Sequence, residues 1–151
     1  MIIDAHTHIF PRQVRQNREK FFPSECAFKL LYQSPRARLI GGRELISAMD
    51  ANRVDRAVVL GFPWTSIELS KTHTDYIMET VLKYPDRLTG LGCLDPASPG
   101  AAAEAERCIT GGLGGIGELA FYQSGIDDVA LEQLAPVMDM CAECSLPILI
   151  N

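Results

Sequence analysis

Short apolar runs rich in β-branched residues alternate with helix-patterned stretches along all 151 residues, one βα unit roughly every 30 residues. The first run is Ile2-Ile3-Asp4-Ala5-His6, and a helical pattern spans Gly42 to Asn52 with Leu45, Ile46 and Met49 on one face. Arg56 to Leu60 follows as a second strand, closed by the breakers Gly61 and Pro63. A second helix fits Thr72 to Lys83, with Ile77, Val81 and Tyr84 inward and Pro85 stopping it. Leu88 to Leu94 reads as a third strand, and Ser98-Pro99 as N-cap and first position of an alanine-rich helix to Ile109. Gly111-Gly112 ends that helix, and Gly114 to Leu119 is a fourth strand. Pro136 opens a fifth helix through Cys144, and Leu146 to Asn151 is the last apolar run.

Continuously apolar strands separated by helices imply a parallel sheet covered on both faces, so the fold class is α/β. Right-handed crossovers leave a doubly wound sheet or a (β/α) barrel of TIM type. Either architecture gathers ligands at the carboxyl ends of its strands, so the residues where each run ends are the ones to examine.

His6-Thr7-His8 ends the first run. With a period of two, both imidazoles fall on one side, roughly 6.5–7 Å apart at Cα, and can converge on one divalent cation given further ligands. Asp4 shares that side and can orient a ring nitrogen. The alternative is a hydrogen-bonded histidine pair without metal. Glu118 ends the fourth run, where a carboxylate is costly to bury without a cation or a donor. A metal beside His6 and His8 answers that need; an Arg partner is the alternative. Gly114-Gly115-Ile116-Gly117 lacks the following helix that a dinucleotide site requires. Asp95 reads as a turn and capping residue before Pro96, and His73 as an exposed or hydrogen-bonding helix residue. Cys141-x-x-Cys144 has no second pair and reads as two small helix residues. Trp64, just past the second strand, can line a pocket for an aromatic or unsaturated substrate or simply pack.

Charge is divided unevenly. Residues 11–40 carry Arg12, Arg15, Arg18, Lys20, Lys29, Arg36 and Arg38 against Glu19 and Glu25, while the whole chain has net charge −5. The remaining acidic body argues against nucleic acid as a partner. No apolar run approaches the ~20 residues of a membrane span, and Met1-Ile2-Ile3-Asp4 does not read as a signal peptide. Five cysteines, an odd number, suit a reducing, cytoplasmic setting. The basic segment reads as an irregular insertion after the first strand, either a lid on which Arg12 and Arg15 hold the carboxylate of an anionic small molecule or a solvated excursion whose Arg side chains sit in water.

Ile3-Asp4-Ala5-His6-Thr7-His8-Ile9-Phe10-Pro11 closely resembles the opening of the amidohydrolase superfamily, in its amidohydrolase-2 branch of aminocarboxymuconate-semialdehyde decarboxylase-like enzymes. Val54 to Val59, Arg87 to Pro96, Gly114 to Leu119 and Ser145 to Ile150 resemble its second to fifth strands. The resemblance implies a metal-dependent (β/α)8 barrel with His6 and His8 as ligands of a divalent metal, Zn²⁺ foremost. Glu118 matches a fourth-strand ligand of the TatD-like hydrolases. Asn151 stands where the family places a fifth-strand His, and the eighth-strand Asp that serves as general base is expected beyond residue 151. The chain thus spans about four and a half βα units of a barrel of about 250 residues. It is expected to be part of a longer product, or to pair with a copy of itself or a second chain. The implied reaction is metal-assisted hydrolysis of an amide, ester or lactone, or non-oxidative decarboxylation. A non-catalytic half-barrel acting as a binding or assembly module is the reading of another class.

Overall fold

The computed structural model describes residues 1–121 and 125–151. Its elements run β1 (Ile3–His8), α1 (Arg12–Gln16), a 3-10 turn (Arg18–Lys20), α2 (Cys26–Tyr32), α3 (Gly42–Asn52), β2 (Arg56–Leu60), α4 (Ile67–Lys83), β3 (Leu88–Gly90), α5 (Ala101–Thr110), β4 (Ile116–Leu119), α6 (Asp128–Glu143) and β5 (Ile148–Ile150). β1, β2 and β3 pair in parallel in that order, and β4 pairs in parallel with β5. A parallel bridge between Gly92 and Ile116 joins the two groups, with Gly92 N–H donating to Gly115 O at 3.0 Å and Gly117 N–H to Gly92 O at 2.8 Å. Five parallel strands in chain order, the first four each followed by helix that returns the chain to the next strand, make the first part of a TIM barrel. Among the described residues nothing pairs with the outer edges of β1 and β5.

The core lies between sheet and helices: Leu45 and Met49 of α3, Ile77 of α4, Ala105 and Cys108 of α5, and Leu134, Val137 and Cys141 of α6 pack on Val59, Leu88 and Ile116. β3 is shorter than the expected Leu88–Leu94, and beyond it Gly92 bridges to Ile116. The Cβ of any other residue at 92 would lie 2.4 Å from Cys108 Sγ, so glycine lets α5 seat directly on the strand. Burying a Leu or Ile side chain contributes about 1.5–3 kcal/mol, so this one layer supplies much of the stability. Glu104, buried on α5, is answered in full: Arg107 donates to both its oxygens at 2.8 Å and reaches Asp75 of α4 at 2.5 Å.

Three helix starts differ from expectation for local reasons. α4 begins five residues early because Ser66 caps it, accepting from Leu69 N–H. Ser98 and Pro99 form a turn ahead of α5 rather than its cap; Ser98 Oγ accepts from Gly100 N–H, and the helix starts at Ala101. Pro136 lies inside α6 instead of opening it. Asp127 is the cap, accepting from Ala130 N–H at 2.8 Å, and Ala130, Leu134, Val137 and Cys141 bury one face while Pro136 points to solvent. That buried face outweighs the lost hydrogen bond.

The basic segment 11–40, expected as irregular, is folded. α1, the 3-10 turn and α2 enclose a second, aromatic core in which Phe10, Val14 and Phe28 meet Phe62 and Trp64 from the loop after β2. Phe28 and Trp64 are centred 4.7 Å apart. Glu25, buried just ahead of α2, accepts from Thr65 N–H and Oγ–H at 3.0 Å and from Ser66 N–H at 3.2 Å. Its carboxylate thereby pins the segment to the start of α4. Replacing Glu25 by Ala strands these donors and is expected to lower the unfolding free energy by about 3 kcal/mol in urea titrations, with faster tryptic cleavage at Arg36 and Arg38.

His73 on α4 is the other buried polar anchor. Trp64 Nε1–H donates to its Nδ1 at 2.9 Å, so its Nε2 carries the proton that reaches Ile9 O at 2.6 Å. Burial lowers its pKa to about 4. An unfolded His protonates near 6.5, so this stability is fully present above that pH and is lost as pH falls toward 4, at most roughly 3 kcal/mol. Unfolding free energies measured between pH 7.5 and 4.5 are expected to show this slope in the wild type and a smaller one in His73→Gln, where the His8 contribution remains.

Candidate metal centre

Pleat alternation puts Thr7 and the two histidines on opposite sides of β1. Thr7 Oγ donates to Val58 O at 2.7 Å, and His6 and His8 turn together to the other side. His8 Nδ1 lies 2.7 Å from Gly61 O. A carbonyl only accepts, so Nδ1 carries the proton and a neutral His8 offers its lone pair at Nε2. Burial lowers the His8 pKa, against the opposing pull of the Gly61 carbonyl and Glu118, which favours that neutral form.

β4 brings in the carboxylate. Gly117, at φ 143°, has no room for a side chain, since a Cβ would lie 2.6 Å from Leu149 O. β4 therefore lies tight against β5, and Glu118 is only 3% exposed. Asn151, after β5, donates from Nδ2 to Glu118 Oε1. The other oxygen, Oε2, stands 3.4 Å from His8 Nε2 and 3.6 Å from His6 Nε2, and the two Nε2 atoms are 3.0 Å apart. Cys93 adds a thiol donor to Glu118 O at 3.0 Å, its pKa pushed up by burial foremost.

Those three separations describe a triangle whose centre is about 1.9 Å from each corner, just inside the ~2.0–2.2 Å of metal–nitrogen and metal–oxygen bonds. The donor chemistry matches as well: two imidazole nitrogens and one carboxylate oxygen, with the far ends of His8 and Glu118 held by Gly61 and Asn151. His6, His8 and Glu118, expected from sequence, are thus brought together by strands that are 110 residues apart in the chain at His8 and Glu118.

The expected substrate contacts fare differently. Trp64 is 1% exposed in the aromatic core, its indole N–H spent on His73, so packing rather than pocket lining describes it here. Arg15 is engaged too, donating to Glu44 of α3 at 2.5 Å and to Phe10 O at 3.1 Å. Arg12 is exposed at the first position of α1. Asp95 accepts from Ala97 N–H at 3.0 Å, the turn role expected of it. Sequence reading missed the Gly61 carbonyl, the Asn151 donor and the reach of His73 to Ile9. A carbonyl carries no residue signature, and the other two are contacts across elements.

Solved structures share this fold. The chain superposes on 5-carboxyvanillate decarboxylase from Novosphingobium aromaticivorans, complexed with manganese and 4-hydroxy-3-methoxy-5-nitrobenzoic acid, with TM-score 0.79 and 20% identity, covering 100% of this chain and 50% of that one. It is similar to 4-oxalomesaconate hydratase from Rhodopseudomonas palustris (TM-score 0.64, 19% identity, 100% and 52% covered). Dihydroxybenzoic acid decarboxylase from Polaromonas sp. JS666, with bound manganese and 2-nitroresorcinol, is similar at TM-score 0.58 and 19% identity, with 97% and 48% covered. The chain spans about half the length of the solved structures it matches. No curated protein matches it in sequence. The family profile described as Amidohydrolase matches residues 3–151, essentially every element of the fold including the three candidate ligands, and the chain belongs to that family.

Proposed function

We propose that this chain forms the ligand-bearing first half of a metal-dependent barrel that decarboxylates a small aromatic or unsaturated carboxylate without an oxidant. The observation that carries this reading is the convergence of His6 Nε2, His8 Nε2 and one Glu118 oxygen at the carboxyl ends of β1 and β4. Two similar solved structures are decarboxylases with manganese, and both hold nitro-substituted aromatic molecules. A bound divalent cation would supply Lewis-acid chemistry there, polarising a carboxylate or carbonyl and lowering the pKa of water.

The chain's own residues do the rest of the preparation. The Gly61 carbonyl keeps His8 in the tautomer that offers Nε2, and Asn151 fixes the Glu118 carboxylate so that one oxygen faces the histidines. Segment 11–40 serves as the lid, and exposed Arg12 draws the substrate anion. The proton donor or base is the eighth-strand Asp that the family resemblance implies, supplied by barrel strands that continue from the open edges of β1 and β5 or by a second chain.

Hydrolysis of an amide, ester or lactone uses the same ligands, and the hydratase among the similar structures favours keeping water chemistry as the second reading. Zn²⁺ and Mn²⁺ both accept two imidazoles and a carboxylate. Metal analysis of the purified chain is expected to find about one divalent ion per chain, and the His6→Ala/His8→Ala double variant to lose it; unchanged metal in that variant sinks the site. Glu118→Gln is expected to weaken Mn²⁺ binding at least tenfold by electron paramagnetic resonance titration. With the complete barrel, headspace CO₂ release from a panel of hydroxybenzoates separates decarboxylation from ester or lactone hydrolysis. Lactone opening without CO₂ would establish the second reading.

A further inference from the structure

We propose that His73 is a positioning residue for the metal centre, acting on His8 from behind the sheet; this rests on the proposed metal reading for its function but on geometry for its mechanism. His8 is held at two points, the peptide that follows it and the Gly61 carbonyl that accepts from its Nδ1. His73 reaches both. Its Nε2–H donates to Ile9 O, 2.6 Å away and one residue past His8. Its ring lies over Gly61, where an added Cβ would meet His73 Cγ and Nδ1 at 3.4 Å. One buried imidazole therefore ties α4 to the backbone just past His8 and packs against the residue whose carbonyl fixes the His8 tautomer.

Trp64 makes this tie directional. Its indole only donates, so the 2.9 Å bond to Nδ1 forces the His73 proton onto Nε2, where Ile9 accepts it. Without the indole, the proton can move to Nδ1 and the tie to Ile9 is lost. Both rings are buried, so water cannot substitute for either bond. Phe10, centred 5.1 Å from the His73 ring, closes the remaining side. Neither residue touches substrate in this assignment; both act through His8.

The test compares His73→Phe, which keeps a buried ring and loses both bonds, with His73→Gln, whose amide nitrogen can still donate to Ile9. Emission from Trp64, the chain's single tryptophan, verifies that each variant is folded. In metal-free protein at pH 7.5, nitrogen-15 spectra of the histidine rings are expected to show His8 as the Nδ1–H tautomer in wild type and His73→Gln. His73→Phe is expected to show a tautomer mixture. Mn²⁺ binding is expected to weaken about tenfold in His73→Phe and less than threefold in His73→Gln.

A folded His73→Phe with the wild-type His8 tautomer and wild-type Mn²⁺ affinity overturns the proposal and leaves the metal site standing. Wild type that binds no Mn²⁺ overturns the metal reading, while the tautomer comparison still decides the role of His73. Should His73→Phe not fold, Trp64→Phe decides: a shifted His8 tautomer supports the proposal, and an unshifted one overturns it.

Discussion

A carboxylate sealed at the end of an apolar strand is the constraint around which this structure is arranged. Glu118 is almost without solvent, and one of its oxygens has a single amide donor. The other faces two imidazoles, one of which burial biases toward its uncharged form. Neutral rings answer an anion poorly, so positive charge is still owed at that corner. Much of the surrounding architecture serves to keep the debt in place. Gly117 removes the side chain that would separate β4 from β5, and Gly92 seats α5 so that β3 can bridge to β4.

The parallel sheet was legible because strands buried on both faces read as unbroken apolar runs, and the helices between them keep a 3.6-residue rhythm. α3 and β2 come out with the expected bounds for that reason. His6 and His8 were legible because two ring nitrogens two residues apart in a strand must share a side. Legibility failed wherever the deciding partner lay on another element. Pro136 suggested a helix start, yet the buried face from Ala130 to Cys141 carries α6 through it. Segment 11–40 looked irregular because its helices are too short for periodicity; its order comes from aromatic side chains closing on Phe62 and Trp64 and from Glu25 capturing two backbone amides. Asn151 stands where the resemblance places a ligating His, and the structure uses its amide as a donor to Glu118.

The two edge strands differ in what they leave open. β1 exposes most of its length, whereas β5 contributes only three residues. Unpaired N–H and C=O groups on both edges are templates for further strands. In the solved structures similar to this chain, the matched part is likewise about half of the molecule.

The aromatic core of segment 11–40 is separate from the main core between sheet and helices. That separation lets segment 11–40 and the sheet bearing the candidate ligands each absorb substitutions within its own core without disturbing the other. Polar ties join the two at Glu25, at Arg15 and along the Trp64–His73–Ile9 line, so a substitution at any of these is felt in both cores.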